Sequence, residues 1–136
     1  MSHYTFIQTQ LREVAPLARA LEAMGYRHVE VHEQAQPLYG YQGDRRPESA
    51  EVIIRREFVG RAANDIGFQR GPTGEFLAII SEYDRRAHCP ETWLQRLHQL
   101  YSYNVAHEEA REKCLVKESE EHLANGDIIL LFAERG

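Results

Sequence analysis

Residues 65–83 read DIGFQRGPTGEFLAIISEY, and the fold class turns on this stretch. Ile66 and Phe68 share one face of residues 65–70, and the apolar run Phe76, Leu77, Ala78, Ile79, Ile80 fills residues 75–83. Between them stands Gly71-Pro72-Thr73-Gly74, where glycine supplies backbone freedom and proline presets a turn dihedral. Two strand-like runs around such a turn predict a β-hairpin.

Working outward, the same alternation recurs. Residues 3–8 alternate as a short strand, and Leu11, Val14, Leu17, Leu21 and Met24 then repeat at helical spacing up to Gly25. Pro16 is comfortable only in a first helical turn, so the helix is expected to begin near residues 13–15. Residues 26–32 follow as a strand, with Val29 and Val31 on one face and His28, Glu30 and His32 on the other. An unstructured loop over residues 33–50 would be too long for a compact domain. A strand at 37–42 carrying Tyr39 and Tyr41 is expected instead, turning through residues 43–47 into a strand at 51–57. Pro90 and Glu91 open a long helix running to about Lys113, with Leu94, Leu97, Tyr101 and Val105 facing the core. Strands at 115–119 and 127–132 flank the turn signal Asn125-Gly126. The expected architecture is a single α+β domain over 1–136, a two-layer sandwich in which a mainly antiparallel sheet of about seven or eight strands carries two helices on one face.

Composition narrows the function classes. Of 136 residues, 43% are hydrophobic and 27% charged, with 16 Lys+Arg against 21 Asp+Glu and a net charge of -5. A chain of this size can hold a core without disulfides or metal. The longest apolar runs fall far short of the ~18 residues of a membrane span, and the N-terminus lacks the basic-then-apolar pattern of a signal peptide. A cytoplasmic protein without membrane contact is expected. Nucleic-acid binders carry a clustered basic face, whereas the arginines here come as separate pairs, Arg45-Arg46, Arg55-Arg56 and Arg85-Arg86. No nucleic-acid partner is expected, and solvated strand ends that protect a sheet edge account for the pairs. Cys89 and Cys114 flank the long helix, whose 1.5 Å rise would part them by ~37 Å. A disulfide needs Cα atoms within ~7 Å.

Three constellations bear on chemistry. His28-Val29-Glu30-Val31-His32 offers two imidazoles and a carboxylate on one face, a metal-ligand set in residue type. On a strand, positions i and i+2 lie ~7 Å apart and the two histidines ~13 Å apart, so one His with Glu30 is the most that could chelate together. A solvent-facing polar strand accounts for the same residues. Cys89, beside His88 and ahead of Pro90 at a helix start, suits a reactive thiol, since an imidazole and a helix N-terminus both favour thiolate. A small buried side chain at a junction is the plain alternative. Asn64 with Asp65, and Glu82 near Asp84, read as solvated strand ends. Gly40-Tyr41-Gln42-Gly43 precedes no helix that could cradle phosphate.

Several stretches resemble one family. Met1-Ser2-His3, residues 7–12 (IQTQLR), Gly40-Tyr41-Gln42-Gly43, residues 50–55 (AEVIIR), Asp65-Ile66-Gly67-Phe68 and Tyr101-Ser102-Tyr103 are similar to the uncharacterised hypothetical chloroplast reading frame 35 proteins of cyanobacteria, algal plastids and other bacteria. The likeness runs over most of the chain and rests on residues that build strands and turns. It implies a free-standing domain and brings no activity, cofactor or catalytic residue.

The reading that follows is a non-catalytic protein-binding or assembly module, with no cofactor. Tyrosine and arginine are common at interfaces, and Tyr39, Tyr41, Arg45, Arg46, Arg55 and Tyr103 are the candidate partner-binding residues. Self-association through an unpaired edge strand is a further expectation. The rivals are a small metal-dependent or thiol-dependent enzyme built on the histidine strand or Cys89, and a small-ligand-binding domain.

Overall fold

A computed structural model describes residues 3–134. Met1 and Ser2, part of the resemblance above, lie outside them. The elements are β1 (Tyr4–Gln8), α1 (Val14–Ala23), β2 (Glu30–Tyr39), β3 (Arg45–Ile54), α2 (Arg56–Val59), β4 (Ile66–Arg70), β5 (Phe76–Ser81), α3 (Glu82–Ala87), α4 (Glu91–Glu112), β6 (Leu115–His122) and β7 (Ile128–Glu134). The chain is α+β and every strand pair is antiparallel. No helix among the described residues is long and apolar enough to cross a membrane.

The strands divide differently from the expectation of one large sheet. Five form a sheet in the order β1-β5-β4-β3-β2, and β6 and β7 form a separate two-stranded sheet. Among the described residues four helices accompany them rather than two. The extra helices are the short α2 and α3; the separate sheet follows α4, whose 22 residues span about 33 Å, and the hairpin folds back on α4. There the Tyr103 hydroxyl donates to Glu120 at 2.8 Å, and the ring of Phe132 meets that of His107 edge-on. The reversal after α4 is made at Cys114, which takes a left-handed φ of 57°.

The hairpin read from residues 65–83 is present, pairing β4 with β5 from Gly67↔Ile79 to Arg70↔Phe76. Its second strand stops at Ser81, where the hydroxyl accepts the Asp84 N–H at 3.0 Å and begins α3. Upstream, the two expected strands at 26–32 and 37–42 are a single strand, β2, whose pairing with β3 breaks between Val31 and Gln36 and again between Pro37 and Tyr39. A proline without an N–H and extra unpaired residues are both tolerated on an edge strand. The turn falls earlier than expected. Gly40 N–H donates to Asp44 O at 2.8 Å, and Gly43, at φ +82°, donates to Gly40 O.

The larger core cluster joins Leu17, Ala20 and Leu21 of α1 and Trp93, Leu94 and Leu97 of α4 to Val52, Phe68, Phe76 and Ile80 of the sheet. Burying an aromatic or aliphatic side chain fully stabilises by roughly 1.5–3 kcal/mol. A smaller cluster of Leu38, Ala50, Ile53 and Ile79 also forms. Gly67 makes it possible, because a Cβ there would lie 2.7 Å from Ala50 Cβ and 3.0 Å from both Leu38 methyls. Neither cluster includes a residue of β6 or β7.

Candidate functional site

Of the histidine-strand residues, Glu30 and His32 come together and His28 does not. His32 Nε2 lies 2.8 Å from Glu30 Oε1, while the His28 ring packs edge-on against Phe58. Glu30 is also gripped by Arg55, whose Nε and Nη2 reach its two oxygens at 2.9 and 3.0 Å. The Arg55 hydrogen bond, joined by that of His32, holds the Glu30 carboxyl below its ordinary value against a smaller opposing effect of burial. Among the described residues no three His, Cys, Asp or Glu side chains are grouped so as to hold a metal ion.

Arg55 continues to Asp65, with Nη1 2.8 Å from Oδ2 and 3.0 Å from Pro37 O. Asp65 is 1% exposed, not solvated as its place in the sequence suggested. Its carboxylate also accepts the backbone N–H groups of Tyr39 and Arg56, and its carbonyl accepts the Tyr4 hydroxyl. Burial alone would lower the Arg55 pKa, but hydrogen bonds to Glu30 and Asp65 outweigh it and raise the value. This is a fully engaged structural network that ties β2, β3 and β1 to the segment before β4.

Asn64 and Asp84 correct the same expectation of solvated strand ends, since both are buried. Asp84 Oδ2 accepts from Asn64 N–H, the Asn64 side-chain amide and the Ser81 hydroxyl, and Oδ1 lies 2.8 Å from His88 Nδ1. Serine, aspartate and histidine thus meet, but in an order that gives no nucleophile. The carboxylate stands between the hydroxyl and the imidazole, whereas serine activation needs the imidazole on the hydroxyl. A signal for this cluster was present in the sequence, because Ser81-x-x-Asp84 has the spacing of a helix-capping pair. Next to it, Cys89 is fully buried, and burial, then the Asp84 charge, pushes its thiol up to about 12. It carries its proton at neutral pH, the opposite of an activated thiol.

The six partner-binding candidates fall into two groups. Tyr39 is half-buried beneath the Arg55 guanidinium, and Tyr41, 42% exposed, is fixed through its backbone by Asn64 and Arg56. Arg45 is exposed, and Arg46 sits over the Tyr4 ring. Tyr103 belongs elsewhere, on α4, where Glu120 accepts its hydroxyl. Hydrogen bonds from Lys117, His122 and Tyr103 bring Glu120 down to about 2.

Tyr103 lines an open groove of about 890 Å³ that sequence reasoning missed. It is lined by Ile7 and Gln8 of β1, by residues of α4 between Glu91 and Ala106, and by Leu123, Asp127, Ile128, Ile129 and Leu130 of the hairpin. Ile129 is 50% exposed and Leu123 37%. Its polar side chains include Gln95, His98, Gln99 and Ser102. These residues are ordinary one by one, and only the folding back of the hairpin brings them together.

Comparison with known proteins adds the following. The family model described as "Protein of unknown function (DUF1257)" matches residues 20–131. The chain is 28% identical over 131 residues to "Uncharacterized protein ycf35" of Cyanophora paradoxa, covering 96% of this chain and 95% of that one. No solved structure matches.

Proposed function

We propose that this chain, which belongs to the DUF1257 family of proteins of unknown function, is a non-catalytic binding module whose binding surface is the groove between β1, α4 and β7. The observation that carries the reading is the groove itself. It combines a volume of about 890 Å³ with exposed apolar side chains at Leu123 and Ile129, and clustered exposed apolar side chains rimmed by polar ones mark interaction sites. The charged clusters elsewhere support it from the other side: Glu30, Arg55, Asp65 and Asp84 spend their hydrogen bonds within the protein. An open trough walled by separate elements suits a macromolecular segment better than an enclosed small molecule.

A photo-crosslinking residue placed at Leu123, at Ile129 or at Tyr41 of the full chain in its native host tests the reading. Adducts of discrete mass from Leu123 and Ile129, absent from Tyr41, are the expected result. Adducts confined to Tyr41 would move the surface to the Tyr39 and Tyr41 end of β2. No adduct at any of the three positions would remove the binding-module reading.

A further inference from the structure

We infer that the groove takes an extended peptide that adds to the sheet as a new strand along β1; this rests on the binding-module reading above. The first observation is the direction of the β1 main chain. Glu82 N–H donates to His3 O at 2.8 Å, in step with the pairs Tyr4↔Ser81, Thr5↔Ile80 and Phe6↔Ile79. Antiparallel ladders alternate between bonded and outward-facing residues. Thr5 and Ile7 therefore address β5, and Tyr4, Phe6 and Gln8 turn their N–H and C=O groups away from it. β1 ends the strand order, so among the described residues no strand of the sheet meets those groups.

The second observation is the contrast between the two edges. β2, at the far edge, carries Glu30, His32, Glu33, Pro37 and two breaks in register. Charge, proline and bulges are what keep an edge from pairing with another chain. β1 reads Tyr-Thr-Phe-Ile-Gln, with no charge, no proline and a continuous register, and leaves Phe6 52% exposed.

The third observation is the neighbourhood of that edge. The groove that Ile7 and Gln8 of this edge strand help to line is also lined by Leu94 and His98 of α4 and by Ile129, apolar and polar partners for the side chains of an added strand. A helical ligand would satisfy none of the outward main-chain groups of β1, whereas an extended backbone satisfies them directly. Among the described residues, Glu91 and Asp127 line the groove and no Lys or Arg does. Glu91 also meets Arg85 at 3.3 Å, but remains largely exposed. The favoured ligand is therefore a peptide of alternating apolar residues carrying a Lys or Arg.

The test uses a phage-displayed library of short random linear peptides, selected on the full-length chain. Winners are assayed against three proteins: the wild type, Phe6→Pro and Ile129→Asp. Proline at Phe6 removes an outward N–H that β5 does not use, so the sheet survives while strand addition is blocked. Circular dichroism verifies the fold of each variant. The expected result is alternating apolar and basic winners whose binding weakens about tenfold or more in both variants. Winners lost only with Ile129→Asp would overturn strand addition and leave the binding module standing. A wild-type dimer that Phe6→Pro dissociates, seen by light scattering, would give the edge to a second copy of the chain and overturn the peptide. A library without winners on the wild type would overturn both readings.

Discussion

Arg55 Nη1 lies 2.8 Å from Asp65 Oδ2, while the rest of the same guanidinium clasps Glu30. One side chain thus neutralises a buried carboxylate and fastens the edge strand β2 to the junction between β3 and α2. Removing one member of a buried pair leaves its partner charged and unsolvated. Arg55→Met should therefore destabilise by about 3 kcal/mol. Urea denaturation at neutral pH measures this, and a loss within the range of an ordinary surface substitution would show that backbone donors alone hold Asp65.

Glu30 gives the network a pH dependence of known sign. Its folded-state value lies below the ordinary 4.5, so the ionised carboxylate is favoured by folding. That contribution is present above about 4.5 and disappears as pH falls through the folded value. Stability curves for wild type and Glu30→Gln, measured from neutral pH down to about 3, should converge on the acid side. Parallel curves would show that Glu30 contributes no such linkage.

Gly67 is a close-approach position, with Ala50 and Leu38 occupying the space its side chain would need. Gly67→Ala should cost about 1–3 kcal/mol through overpacking. Pairing it with Leu38→Ala separates this from a backbone effect. Partial recovery in the double variant, seen as a higher thermal midpoint than the sum of the two changes, is the expected outcome.

The two cysteines should differ sharply towards an alkylating reagent. Cys114 is exposed and Cys89 is buried, and both are free thiols. One thiol should react in the native state and the second only on unfolding, read by intact mass. Because the Cys89 value is raised from 9.0 to about 12, stability is full below about 9 and falls as pH rises towards 12. Tyr26, raised to about 12 chiefly by burial, adds to the same alkaline loss. Cys89→Ser unfolding curves should be flatter over that window.

Elements with their own local code were legible in the sequence. Gly71-Pro72-Thr73-Gly74 marked the hairpin, Pro16 the start of α1, and Pro90 the start of α4, because each restricts the backbone where it stands. β2 was not legible as one strand, since its irregular stretch is held by pairing with β3 and by backbone bonds to Arg55 and Asp65, all distant in sequence. Asp65 and Asp84 read as surface carboxylates because sequence shows charge but not the donors that come from distant segments. The groove escaped for the same reason: Ile7, Leu94 and Ile129 are far apart along the chain. The family resemblance, in contrast, was readable directly from short matched stretches, and the match over residues 20–131 agrees with it.

Among the described residues β6 and β7 contribute to neither core cluster, which predicts two levels of cooperativity. Melting the hairpin would uncover α4 but remove nothing from beneath the five-stranded sheet. Native-state hydrogen exchange should accordingly find residues 115–134 opening as a unit, at a lower free energy than β3, β4 and β5. Leu123 and Ile129 lie on that unit, so its separate opening would take their side of the groove with it. Anything bound there would hold the hairpin down, and its affinity would be reduced by the fraction of time the hairpin is undocked.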